Sequence, residues 1–312
     1  MKARTYSVLA RFLLPPIVSL CVGVFLGCGE NLTGPGASFG PPRDVRALSV
    51  NESTVRLEWS PADGATDSAF QGYVVQWGAN EVIIPKTTLT YNVSSLSPGE
   101  TLFILYSRKT DGTRSDGAVI RWAPATRFST VYSLFEYIQL DPSNISGLSV
   151  GTQTTDAFTM AVNGSVAPVL DLYCFGGDGV VERPLSLWSA SRFGGSFSPV
   201  RFSEIAHSSP SLDLPLSSFP DETTFFKDSI AVQDNMIYYV RVVGDNLQVL
   251  YARLHVRVRS GTSYPNRIID VQISLQRVPG VGYAQNVDEV LPPVCIWRQT
   301  YWGIKQYQLR SG

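Results

Sequence analysis

Residues 54–61 read Thr-Val-Arg-Leu-Glu-Trp-Ser-Pro, a stretch in which apolar and polar side chains alternate. Val55, Leu57 and Trp59 fall on one side of an extended chain, because successive side chains of a β-strand point to opposite faces. Residues 42–50 before this stretch and residues 73–77 after it can be read in the same way. The pattern predicts half-buried strands with one face against a core.

Turn-forming sequences separate these strands. Leu96-Ser-Pro-Gly99 precedes the apolar run 102–106, and Asp111-Gly112 has the composition of a tight hairpin turn. Gly176-Gly177-Asp178-Gly179 is also a turn sequence. A calcium loop needs several oxygen ligands, and each of these two turn sequences offers a single carboxylate. We therefore expect turns and no metal site. Turn signals recur along the 312 residues, which predicts an all-β protein long enough for two β-sandwich domains.

The order of signals in the first domain is that of a known family. A strand that follows a proline pair comes first, then a strand ending in Trp59-Ser-Pro61, a Gly72-Tyr-Val-Val75 strand and the Leu96-Ser-Pro-Gly99 corner. This order resembles a fibronectin type III domain over residues 41–124, although Leu102 stands where the family usually carries a corner tyrosine. The resemblance implies an immunoglobulin-like sandwich that serves as a spacer or adhesive module without chemistry of its own.

Residues 125–312 are predicted to form a second β-sandwich. Residues 236–243 and 247–259 flank Gly244-Asp-Asn246, which indicates a hairpin in which Val243 pairs with Leu247. A third strand at 268–275 continues the sheet. The register predicts an apolar core face made of Met236, Tyr238, Val240, Leu250, Ala252 and Leu254, extended by Ile269, Val271, Ile273 and Leu275.

The opposite face of this hairpin is basic and aromatic. We call it the Tyr-Arg face; it consists of Tyr239, Arg241, Tyr251, Arg253, His255 and Arg257. One interpretation is a solvated sheet exterior with arginine stems lying over tyrosines. The other is a binding surface for sugars, anionic ligands or protein partners, since tyrosine and arginine supply contact area with polar tips. The sequence leaves both open.

The hairpin also resembles the C-terminal region of HmuY-like lipoproteins, β-rich haem-capturing proteins. The likeness lies in Tyr-Tyr-Val-Arg, a Gly-Asp turn and Tyr-Ala-Arg-Leu, with residues 135–140 and 171–174 as possible opening strands. It implies haem bound through axial side chains. The side chains of suitable type after the signal region are His207, His255, Met160 and Met236, and the pattern places no two of them opposite each other. Haem capture is therefore an alternative function.

The N-terminus predicts export. Lys2, Arg4 and Arg11 precede an apolar stretch at 12–26, as in a signal peptide covering residues 1–27. Gly27-Cys28 resembles a bacterial lipobox, with Phe25 in place of the usual leucine, and the resemblance implies lipid attachment at Cys28. Residues 28–40 are rich in glycine, as suits a tether. The residue after Cys28 is Gly29 and not aspartate, so the sequence has no signal for retention in the inner membrane, and the outer membrane is favoured. The alternative is an ordinary secretory peptide.

Two cysteines remain after this region, Cys174 and Cys295. An oxidising compartment makes them a candidate disulfide, and two buried free thiols are the alternative. The net charge of −1, more acidic once the signal peptide is removed, argues against a nucleic-acid partner.

Catalytic signals are weak. Residues 194–198, Gly-Gly-Ser-Phe-Ser, do not match a Gly-x-Ser-x-Gly nucleophile elbow, and two separated histidines without Cys-x-x-Cys disfavour zinc chemistry. A glycosidase needs only two carboxylates at a set spacing, so a carbohydrate-active enzyme is a second alternative. The sequence favours a non-enzymatic bacterial lipoprotein without a cofactor, which binds a carbohydrate or protein ligand at the cell envelope.

Overall fold

The computed structural model of the chain describes residues 39–138, 143–151, 156–162, 170–193, 200–243, 248–282 and 284–285. Within these residues the regular elements are β-strands and two short 3₁₀ turns, Ala190–Phe193 and Glu222–Thr224. The predicted all-β class is confirmed. The signal peptide, the lipid site Cys28, Cys295 and most of the predicted tether lie outside the described residues. No helix in the described ranges has the length and apolar character to cross a membrane.

The first sandwich consists of two antiparallel sheets. One has the order β1-β2-β5, formed by β1 (Arg43–Asn51), β2 (Thr54–Ser60) and β5 (Thr90–Val93). The other has the order β7-β6-β3-β4, formed by β3 (Phe70–Trp77), β4 (Asn80–Pro85), β6 (Thr101–Lys109) and β7 (Ala118–Trp122). Val55, Leu57 and Trp59 are buried between the sheets, as their alternation predicted.

The second sandwich also has two sheets. The larger contains β8 (Thr126–Arg127), β9 (Tyr132–Phe135), β15 (Val200–Ser208), β16 (Phe225–Lys227), β18 (Met236–Val243), β19 (Val249–Val258) and β20 (Ile268–Gln276). Its order is β16-β15-β18-β19-β20, with β8 and β9 both paired to β20. The smaller contains β10 (Tyr137–Ile138), β11 (Ile145–Ser149), β12 (Phe158–Ala161), β13 (Leu172–Gly177), β14 (Glu182–Ser189) and β17 (Ser229–Ala231). Its order is β12-β11-β13-β14-β17, and β10 runs parallel to β13.

The predicted core face of the hairpin packs against the smaller sheet. Val240, Ala252 and Leu254 are fully buried there, together with the inward side chains of β20. The predicted register was wrong by two residues, since Val243 pairs with Val249 and not with Leu247. The connection is longer than the predicted three-residue turn. A shift of two residues keeps every side chain on its predicted face, because the side-chain period of a strand is two.

Turns and a buried ion pair shape the ends of the strands. Asp111 Oδ1 accepts a hydrogen bond from Thr113 N at 2.8 Å, and Asp178 Oδ1 accepts one from Val181 N at 2.7 Å, so both predicted turns are confirmed.

The predicted strand at 135–140 is interrupted at Glu136, which is fully buried and accepts a hydrogen bond from Arg267 Nη2 at 2.7 Å. A side chain at residue 176 would clash with the Glu136 carboxylate, which explains the glycine at that position.

Contacts join the two sandwiches within one compact unit, residues 37–312. Ala47 of β1 and Leu216 exchange two backbone hydrogen bonds of 2.8 and 2.9 Å. The last described strand, β21 (Ala284–Gln285), pairs with β7 and so adds to the first sandwich after the chain has completed the second. One apolar cluster contains side chains from both sandwiches, including Trp59 and Tyr239.

Candidate functional site

The Tyr-Arg face is largely an inner face, which corrects its predicted exposure. Its six side chains share one side of the hairpin, as predicted, but Tyr239, Tyr251, Arg253 and His255 are only 0, 8, 1 and 2 % exposed. Arg241 is half-buried, and Arg257 is exposed.

The segment that covers this face connects β15 to β16. We call residues 209–224 the covering segment. Leu212, Leu216 and Phe219 of this segment are buried, and Phe219 contacts the rings of Tyr239 and Tyr251 at centroid distances of 5.1 and 5.9 Å. Residues 208–220 are rich in serine and proline, so a pattern reading gives a loop and no indication of what it packs against. The alternation assigned side chains to faces but could not show that the second face is covered.

Hydrogen bonds tie the polar groups of the face to their cover. Arg253 Nη2 donates to the carbonyl of Leu214 at 2.8 Å, and His255 Nε2 donates to the carbonyl of Ser209 at 2.9 Å. His207 Nδ1 and the Tyr239 hydroxyl are 2.8 Å apart. Burial raises the pKa of Tyr239 to about 12. Burial also lowers the pKa of His207, with a further contribution from the charge of Arg253, and burial lowers the pKa of His255.

The four candidate haem ligands are dispersed. His207 and His255 lie on the same face of the larger sheet, with buried Ile237 paired between them. Met236 packs on the opposite face, and Met160 belongs to a separate cluster in the smaller sheet. Haem capture stays a prediction. No group of three or more His, Cys, Asp or Glu side chains within the described ranges could hold a metal ion.

Cys174 is buried inside the second core and forms no disulfide with any described residue, and burial raises the pKa of its thiol. Its proposed partner Cys295 falls outside the described residues, so the disulfide stays a prediction as well. Residues 194–198, the serine-containing stretch, are also outside the described ranges.

A groove of about 530 Å³ opens where the covering segment passes over Tyr251. We call it the Tyr251 groove. The aromatic floor is Phe219 and Tyr251, the apolar wall is Ile205 and Pro220, and Asp221 and Glu222 line the groove as exposed carboxylates. The volume lies within the range of small-ligand sites in proteins.

The charges at this groove reverse the sign that the sequence predicted. Arg241 Nε lies 2.9 Å from Glu222 Oε2, so this arginine is neutralised by an ion pair, while Arg253 is buried. Asp221 Oδ1 accepts a hydrogen bond from Thr223 N at 3.0 Å, and Asp221 has no ion-pair partner among the described residues. The two charged residues that line the groove are therefore both acidic, and the nearby Arg241 and its strand partner Arg201 lie outside the lining.

Tyr251 is the member of the Tyr-Arg face that remains available in this groove. Its side chain is more than nine-tenths buried, and its hydroxyl makes no hydrogen bond with any described residue. The hydroxyl oxygen itself is accessible to solvent, so it is free to accept a hydrogen bond from an incoming group. The lining and the hydroxyl together indicate a place for a ligand, which sequence reasoning missed because residues 218–224 carry no periodic signal.

Comparison with known proteins identifies the first sandwich. Residues 40–116, which contain strands β1 to β6, match the family model of the fibronectin type III domain. No curated protein sequence matched the chain.

Solved structures similar to the chain include three single domains. The fn3 domain of human collagen alpha-1(XX) chain is 15% identical, covers 31% of this chain and 97% of its own, and has a TM-score of 0.25. The FN5 domain of Drosophila Lar is 22% identical, with coverages of 28% and 98% and a TM-score of 0.22. The fn3 domain of human contactin 1 is 14% identical, with coverages of 34% and 95% and a TM-score of 0.24. The family match, and not these low scores, carries the assignment.

Proposed function

We propose, because residues 40–116 form a fibronectin type III domain, that this chain is a non-catalytic binding or adhesion module held at the bacterial cell envelope by a lipid on Cys28. The observation that carries the proposal is the position of that domain. It begins directly after a glycine-rich stretch that separates it from a lipobox-like cysteine.

The length of this stretch suits a tether. A flexible chain of about twelve residues spans roughly 20 Å on average, which lets a folded domain clear the lipid headgroups. A single acyl chain binds a membrane only marginally, so the diacyl group of a bacterial lipoprotein is what would give stable attachment.

The coupling of the two sandwiches supports a module that acts as one body. The β21–β7 pairing and the Ala47–Leu216 hydrogen bonds link the sandwiches at separate points of the first sandwich. A ligand bound by either sandwich would then be held at a fixed distance from the tether, as an adhesion module requires.

Replacing the proposed lipid site tests the anchor. Cys28→Ser should abolish incorporation of radiolabelled palmitate and move the chain from the membrane fraction to the soluble fraction. Cys21→Ser is the matched control, because it removes a thiol from the apolar stretch of the same signal region. A Cys28→Ser protein that stays acylated and membrane-bound would refute the anchor.

A further inference from the structure

The Tyr251 groove combines three features that one ligand chemistry would satisfy: an apolar wall, a carboxylate without an ion-pair partner among the described residues, and an accessible hydroxyl that bonds to none of them. We propose that the groove receives a basic side chain, arginine or lysine, from a partner protein. This inference rests on the proposed function, since it names the kind of partner that the binding module would take.

The apolar wall fits the stem of such a side chain. Ile205 is 38 % exposed although it lies on a strand, and it stands beside Pro220 in the groove. Lysine and arginine bury their methylene stems along apolar surface while the charged end remains in a polar setting.

The charge at the groove fits the end of the side chain. The Glu222–Arg241 ion pair is neutral as a whole, and Asp221 is a second carboxylate in the lining, with no ion-pair partner among the described residues. Because two carboxylates and no basic side chain line the groove, the lining favours a cation over an anion. A guanidinium also presents several donors in a fixed geometry that matches carboxylate oxygens.

The Tyr251 hydroxyl supplies the hydrogen-bond acceptor at the floor. A donor-rich group could bond to this oxygen and to a carboxylate of Asp221 or Glu222 at the same time. A sugar ring is less suited, because Phe219 and Tyr251 are 5 and 8 % exposed and leave little aromatic face for stacking.

An NMR titration of the full chain in detergent micelles tests the inference. The probe is acetyl-Gly-Ser-Arg-Ser-Gly-amide, and the neutral control replaces arginine by citrulline, which has nearly the same shape. The ¹³C-labelled methyl groups of Ile205, in the groove, and of Ile83, which is exposed on β4, report the location of binding. We expect the arginine peptide to shift the Ile205 signal in a saturable way and to leave Ile83 unchanged.

The variant D221N/E222Q should raise the apparent dissociation constant at least about tenfold, as loss of hydrogen bonds to a charged group does. Asparagine retains an oxygen that can accept from Thr223 N, so the 3₁₀ turn is preserved. The control variant E52Q/D116N removes the same total charge away from the groove and should stay within about twofold of the parent, because distant surface charges are screened.

Equal shifts from the arginine and citrulline peptides would overturn the inference, as would the absence of any Ile205 shift or equal weakening in both double variants. The anchor experiment is independent of this titration. If the arginine peptide does not bind but the Cys28→Ser protein moves to the soluble fraction, the choice of partner is wrong and the anchored-module proposal stands. If the peptide binds but the Cys28→Ser protein stays in the membrane fraction, only the anchor is refuted.

Discussion

The two faces of the β18–β19 hairpin are both buried, yet they are built differently. The face toward the smaller sheet is filled by aliphatic side chains such as Val240 and Leu254. The Tyr-Arg face is filled by groups that need particular partners, such as Arg253 and His255, and those partners are carbonyl groups of the covering segment. Apolar packing tolerates many arrangements of similar volume, whereas a buried polar group is stable only where its hydrogen bonds are met. We infer that the first face mainly stabilises the fold and that the second fixes how the covering segment lies.

The largest effect is expected on the aliphatic face. Leu254→Ala should lower the free energy of unfolding by about 2–5 kcal/mol, because it removes a fully buried side chain and leaves a cavity. Urea denaturation followed by tryptophan fluorescence measures this change. A loss below about 1 kcal/mol would contradict the assignment of this face to the core.

A smaller loss is expected on the Tyr-Arg face. Arg253→Ala should cost about 1–3 kcal/mol, since the partly buried Leu214 carbonyl loses the donor it faces. Arg257→Ala is the control on the same strand; its side chain is exposed, so the change should stay within about 0.5 kcal/mol. Equal effects of the two variants in the same denaturation assay would show that the arginines are equally exposed.

The smallest effect is a dependence on pH. The pKa values of His207 and His255 are lowered in the folded protein, so as the pH falls below about 6.5 the unfolded chain takes up protons first. Their contribution is therefore present above that pH and is lost as the pH falls toward the folded-state pKa values. The urea midpoint should drop between pH 7.5 and 5.5, and the drop should shrink in H207Q/H255Q.

Carboxylates affect the stability of the protein in a lower pH range than the histidines do. The hydrogen bond from Arg127 lowers the pKa of Asp213, so the contribution of this aspartate is lost only below about pH 4. An unchanged midpoint in the parent protein between pH 7.5 and 5.5 would contradict the lowered pKa values of the two histidines.

The sequence carried enough information for the strands but not for their surroundings. Trp59-Ser-Pro61 and the Leu96-Ser-Pro-Gly99 corner were sufficient to predict the first sandwich, because local alternation and turn chemistry are encoded within a few residues. The pairing of β21 with β7 was not predictable. It joins residues more than 160 positions apart, and two paired residues give no periodic signal.

The candidate site was predictable only in part. Tyr251 and Arg241 were singled out from the hairpin pattern, and both belong to the surroundings of the groove. Asp221 and Glu222 were missed, since they lie in an irregular segment whose position depends on tertiary contacts. The predicted positive charge was wrong for the same reason: Glu222, which neutralises Arg241, lies in that irregular segment and outside the hairpin.

The central claim is that the Tyr-Arg face lies largely inside the molecule, and the two histidines of the protein, of which only His255 belongs to this face, allow a direct measurement. The chain contains only His207 and His255, so modification by diethyl pyrocarbonate can be followed at each by peptide mass spectrometry. At neutral pH the exposed His207 should react, and His255 should be protected until urea unfolds the protein and makes the two rates similar. Equal reaction of both histidines in the folded protein would show that the face is open to solvent and would contradict the account.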